Sequence, residues 1–289
     1  MNIYIIFALL VPLTWAIMNI FDKYSQVHKS NNHLSFAVVA GLMNIALGII
    51  ISLFLDWSSV ELIDLIAPAL AGTMLGIQAY VYYLIIKKED VSHFIGLMFI
   101  YPVFVAILSF LFFSEVISFI GYLGMALTLI GSLTISVRLN KIKLKVSAWM
   151  IVGVIATVIA YDLLVKKAVT SIPALNGMAI SCIFLGIAIL PALLKSSVRK
   201  GLKFEIKNWH WAIYSEGLTF IAIGLTYLAM KGLPVTIVSS LGATQPLILL
   251  VLERIADRWH GKMMRDHLLL PKLGSILFIV AGVVLLYIS

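Results

Sequence analysis

The sequence predicts an all-α polytopic membrane protein, with ten transmembrane helices in two inverted five-helix repeats. Three observations predict it. Of 289 residues, 62% are hydrophobic and only 12% are charged, with a mean hydropathy of +1.08; soluble domains carry about twice that charge. Apolar runs of roughly 17 to 25 residues, each long enough to cross a bilayer core, recur from end to end. Finally, YLIIKKEDVSHFIGLMFIYP at 83–102 is answered by YLAMKGLPVTIVSSLGATQP at 227–246.

The ten spans fall at roughly 4–22, 35–55, 65–86, 92–112, 117–137, 148–166, 173–192, 209–230, 235–256 and 270–288. The first lacks the basic n-region and small-residue cleavage site of a signal peptide, so it reads as a membrane helix. Connections are too short for a soluble domain, and the stretch 201–207 is the longest interfacial piece. Lys166, Lys167 and Lys231 lie in even connections, and the other 18 of the 21 Lys and Arg residues lie in odd ones. The positive-inside rule then puts odd connections in the cytoplasm and both termini outside. The net charge of +8 follows from those loops. It sets topology and meets anionic lipid rather than nucleic acid. The single cysteine, Cys182, excludes an internal disulfide.

The repeat divides the chain into units 1–140 and 146–289. Tyr83, Lys87 and Pro102 correspond to Tyr227, Lys231 and Pro246; NIALGII at 44–50 corresponds to CIFLGIA at 182–188; Phe21-Asp22 corresponds to Tyr161-Asp162. An odd number of spans per unit inverts the second unit. Inverted repeats are the arrangement that lets a carrier alternate about a midplane site.

FIGLMFIYPVFVAILSFLFFSEVISFIGYLGMALTLIGSL at 94–133 resembles the signature of the drug/metabolite transporter superfamily, in its EamA-like branch. The residues that carry the resemblance are Pro102, Glu115, Gly121, Gly124 and Gly131. The second half keeps Pro246 and Gly274 but has Trp259 where the spacing would place a glutamate. The resemblance implies ten spans, transport rather than catalysis, and a cavity walled largely by the third, fourth, eighth and ninth spans. It also implies cytoplasmic termini, opposite to the charge count.

Pro102 and Pro246 remove an amide donor inside their spans, as passive kinks or as paired hinges. Glu115 stands where the fifth helix begins, to cap it or face its positive end, or else to meet substrate. Glu216 lies two turns into the eighth span, where a carboxylate is costly and points to function or to a pair near the basic edge. Asp162 has Lys166 four residues on, the spacing of a local ion pair; Asp22, beside Lys23, reads as interfacial. Asn19, Asn44, Gln78, Tyr80, His93, Tyr101, Tyr227 and Gln245 are the other candidates for lining a cavity or gluing helices. Gly72 and Gly76 permit close approach, within the monomer or in a homodimer.

No phosphate loop, metal cluster or nucleophile–base pair stands in a loop, so neither an enzyme nor a cofactor is expected. The reading is a secondary active transporter of a small organic metabolite, in the direction of amino-acid or related export, with proton coupling resting on Glu216 and Asp162. The inventory suits a zwitterion or a moderately apolar solute, and Lys87 and Lys231 keep an anion open. The rival is a non-transporting scaffold or lipid-modification partner subunit.

Overall fold

The structure, a computed structural model, describes residues 3–89, 91–136, 146–260 and 273–288. Helices occupy all ten expected positions: α1 (Ile3–His28), α2 (His33–Ser52), α3 (Ile66–Lys88), α4 (Val91–Met98) with α5 (Tyr101–Phe113), α6 (Phe119–Ser136), α7 (Ala148–Ser171), α8 (Ala174–Ile189), α10 (Trp209–Gly232), α11 (Val235–Gly242) with α12 (Gln245–His260), and α13 (Leu273–Ile288). Between α8 and α10 lies α9 (Ser196–Lys207). Among the described residues eight segments are long and apolar enough to cross a membrane; the apolar parts of α6 and α13 are shorter. Such segments are helical because hydrocarbon offers their amides no partner except their own carbonyls.

Two spans read as continuous are broken. The fourth stops at Met98 and restarts at Tyr101; the ninth stops at Gly242 and restarts at Gln245. Pro102 and Pro246 therefore sit in the first turn of α5 and α12 rather than kinking a helix from within. A first-turn proline sacrifices no hydrogen bond, because that amide is unpaired anyway. The two breaks lie 144 residues apart, at 101 and 245.

Helices pack through small residues. Between α2 and α8, Gly41 meets Gly186 while Gly48 meets the Ala179 carbonyl, so the two helices run antiparallel. Gly72 and Gly76 set α3 on the backbone of α8 at Ser181 and Leu185, so this pair serves packing within the monomer. Between α6 and α13, Gly124 faces the Gly282 carbonyl and Gly131 faces that of Ser275. The remaining large contacts are α1 on α10 and α3 on α7.

The interfacial piece forms more structure than expected, as the twelve-residue α9. Its buried Glu205 accepts from Ser30 Oγ (3.0 Å) and from the Asn31 and Asn32 amides (3.0 and 3.3 Å), pinning α9 to the α1–α2 corner. Burial pushes the Glu205 carboxyl above its usual range, against those hydrogen bonds. Asn32 in turn caps α2, its Oδ1 accepting from Leu34 (3.0 Å) and Ser35 (3.3 Å).

These contacts leave no room for a side chain at Gly186, where a Cβ would run into the Gly41 carbonyl and Ile45, while Gly153 on α7 faces open space. Gly186→Val should lower thermal stability by about 1–3 kcal/mol. Gly153→Ala should leave it unchanged or raise it by up to about 1 kcal/mol. Thermal unfolding of the detergent-purified variants measures both.

Candidate functional site

Where α1 packs on α10, two carboxylates face each other. Asp22 is 1% exposed and Glu216 is 3% exposed, and they are electrostatic neighbours. Ser215 Oγ donates to Asp22 Oδ1. The Tyr82 hydroxyl lies between Asn19 Oδ1 and Asp22 Oδ2, 3.1 Å from the latter. Glu216 Oε1 accepts from the Tyr83 hydroxyl at 3.0 Å, and Oε2 from Asn44 Nδ2. An ionised carboxylate only accepts, and α1, α2, α3 and α10 each contribute donors or acceptors to one network around this pair.

The third carboxylate stands apart. Asp162 on α7 is 5% exposed, with the Tyr101 hydroxyl in hydrogen-bonding range. Among the described residues its Oδ2 has no hydrogen-bond partner. Glu216 is seven residues from the start of α10 and Asp162 is fourteen from the start of α7. Both helices start at the same end of the bundle, so Asp162 lies about 10 Å deeper at 1.5 Å per residue.

All three carboxylates line one cavity of about 160 Å³. Of the candidates from the sequence, Asn19, Gln78, Tyr101, Asp162, Glu216 and Gln245 line it, and Asn44 reaches it through Glu216. Tyr80 does not: one turn on from Gly76, it shares the α8-facing stripe, and its hydroxyl is 3.2 and 3.1 Å from the Ala188 and Ile189 carbonyls. Tyr227 likewise turns to α8, its hydroxyl 2.6 Å from Ser181 Oγ. The side chains of His93 and Trp259 lie outside the described residues. Lys87 and Lys231 are not among the described lining residues. Both helix breaks are, through Phe99, Tyr101, Gly242 and Gln245.

Asp22, Tyr82, Tyr83 and Ser215 escaped sequence reasoning. Hydropathy ended the first span at Asp22, whereas α1 continues to His28 and leaves Asp22 well inside. The available signal was the i, i+3 pair Asn19–Asp22, which puts two polar groups on one face.

The expected Asp162–Lys166 pair does not form. Lys166 Nζ instead bridges to Glu115 Oε1 at 2.8 Å and donates to the Leu233 and Met230 carbonyls at 3.0 and 3.3 Å. Glu115 does not cap the helix that follows it, because α6 begins only at Phe119. Its Oε2 accepts from the Val235 amide at the start of α11, at 2.9 Å. At the opposite end Lys23 Nζ donates to the Ile86 and Glu89 carbonyls at 2.6 and 2.8 Å, and Glu89 Oε1 accepts from the Val146 amide at 3.1 Å. Each lysine thus closes the carbonyl-rich end of a helix from its own half of the chain, the favourable place for a cation.

The site is thus a cavity inside a helical membrane bundle, lined by three carboxylates. Among the described residues no group of three or more His, Cys, Asp or Glu could hold a metal. Residues 2–137 match the profile of the EamA-like transporter family. A solved crystal structure, titled only as that of a protein, superposes with a TM-score of 0.66 at 14% identity over 98% of this chain and 96% of that one. That likeness is one of fold. No curated relative matches the sequence.

The Lys166–Glu115 bridge gives a double-mutant test. Lys166→Met and Glu115→Gln should each lower stability by roughly 1–3 kcal/mol, the cost of leaving partly buried polar groups unpaired. The double variant should lose less than the sum of the two. Additive losses in thermal unfolding would mean that the two groups do not act together.

Proposed function

We propose that this chain is a secondary carrier of a small organic metabolite, working by alternating access and built from two inverted halves, 1–140 and 146–289, that together cross the membrane ten times. The observation that carries the reading is the pair of lysine-closed ends. Lys23 meets the carbonyls of 86 and 89, and Lys166 meets those of 230 and 233. The carbonyls are related by 144 residues and the lysines by 143, and they sit at opposite ends of the bundle with one cavity between them. The paired breaks at 101 and 245 support it, as does the antiparallel contact of α2 with its counterpart α8. Alternation needs matched ends of this kind, whereas a scaffold does not.

The basic connections gather at the Lys23 end, which by the positive-inside rule supports a cytoplasmic position for that end, in a bacterial inner membrane. On that reading Asp22 and Glu216 are the coupling pair, buried near the cytoplasmic third and wired to four helices, so that protonating them changes the helix contacts. On that reading the direction of transport is export.

Proteoliposomes loaded and diluted to set a pH gradient test it, against a panel of amino acids, amines, nucleotides and organic acids. The carrier should accumulate at least one solute against its gradient. Asp22→Asn with Glu216→Gln should abolish accumulation while leaving downhill exchange. Uphill proton-dependent transport by that double variant would remove the coupling assignment. A folded protein that moves nothing on the panel would favour a partner-subunit role.

A further inference from the structure

The cavity has a charge balance that narrows what can enter it. Three carboxylates line it, and among its described lining residues there is no Lys, Arg or His. The nearest lysines are committed elsewhere. Lys166, one turn from Asp162, has three hydrogens and three acceptors, Glu115 and the carbonyls of Met230 and Leu233. Lys23 is turned to the end of α3. A solute carrying a carboxylate would bring a fourth carboxyl group into a space of low dielectric that offers it no Lys, Arg or His among the described lining residues, where like charges repel over several ångströms.

Among the described residues, the same cavity has one carboxylate oxygen that takes no donor. The oxygens of Asp22 and Glu216 already take donors from Ser215, Tyr82, Tyr83 and Asn44. Asp162 Oδ2 takes none among the described residues, although the side chain is 95% buried and lines the cavity. Around these groups stand Trp15, Tyr82, Tyr83, Phe99, Tyr101 and Tyr161. Aromatic faces attract cations, tryptophan most strongly. The volume, about 160 Å³, is close to that of an engineered cavity known to hold a single benzene ring.

We propose that the solute carried is a small organic cation, an amine with an apolar or aromatic body and no carboxylate, whose ammonium group docks on Asp162. This deepens the carrier reading and rests on it. The ammonium supplies the donor that Asp162 Oδ2 lacks, and the aromatic wall takes the body. Amino acids, expected from the sequence's residue inventory, fit less well because their carboxylate meets no Lys, Arg or His among the described lining residues.

Three probes with one ring and different charge separate the classes: phenethylamine, phenylalanine and 3-phenylpropionate. Binding is read by thermal stabilisation of the purified full chain and by quenching of tryptophan fluorescence, and transport by proteoliposome uptake of each probe. Phenethylamine should bind most tightly and 3-phenylpropionate least. Asp162→Asn should weaken phenethylamine roughly 10- to 100-fold, the loss of one charge-assisted hydrogen bond. Asp162→Glu, which keeps the charge, should retain the cation preference, and the wild-type ranking stands as a test even if Asp162→Asn does not fold.

Equal or tighter binding of phenylalanine or 3-phenylpropionate, or no response to any of the three, overturns the proposal. So does unchanged phenethylamine binding by a folded Asp162→Asn. Uptake separates this from the carrier reading. Movement of phenylalanine or 3-phenylpropionate without the amine removes the cation and leaves a carrier. Binding of phenethylamine at Asp162 with no uptake under any gradient leaves the site and removes the carrier.

Discussion

Asp22 and Glu216 face each other inside a bundle whose outer solvent is hydrocarbon, and the arrangement of the neighbouring helices follows from how that pair is held. A carboxylate in such a place is tolerated only when it faces protein or water and finds donors. Ser215 comes from the same turn as Glu216, Tyr82 and Tyr83 from α3, and Asn44 from α2. Four helices are therefore tied to one small region. Packing alone would let these helices slide, since their surfaces are apolar nearly all round. The hydrogen bonds fix their register, and the small residues Gly41, Gly48, Gly186 and Gly72 let the backbones come close enough for those bonds to form.

The same economy shapes the two ends. A helix ending inside a membrane protein exposes carbonyls with no partner. Lys23 and Lys166 satisfy them, and Glu89 and Glu115 extend each contact to the start of another segment, at Val146 and at Val235. The breaks beside Pro102 and Pro246 line the cavity. Each leaves a short helix, α4 or α11, followed by a separate, longer one. A binding site held at mid-depth, with a releasable closure at each end, is the mechanical requirement of alternating access.

Much of the fold was legible in the sequence because bilayer thickness dictates span length, and eight of the expected spans are met by helices long and apolar enough to cross. The breaks at 99–100 and 243–244 were not legible, since apolar residues continue through them and proline was compatible with either a kink or a new start. The site was legible in part. Glu216 and Asp162 stood out because charge inside an apolar run is rare, and Asn19, Gln78, Tyr101 and Gln245 followed from placement on suitable spans. Asp22 was hidden by Lys23 at an apparent helix end. Tyr80 and Tyr227 were misassigned because helix phase relative to α8 depends on which glycines meet which backbone, a tertiary fact. Lys166 and Glu115 were read through local spacing, yet their partners lie 51 and 120 residues away, at each other and at Val235.

The central claim, that the two lysine-closed ends open in alternation around one cavity, is tested most directly by distances measured at both ends in the same preparation. Spin labels at Val27 and Lys88 report the Lys23 end, and labels at Val116 and Thr170 report the Lys166 end. On acidification, and on adding phenethylamine, one distance should lengthen as the other shortens or holds. Both ends opening together, or neither distance responding to either change, would contradict it.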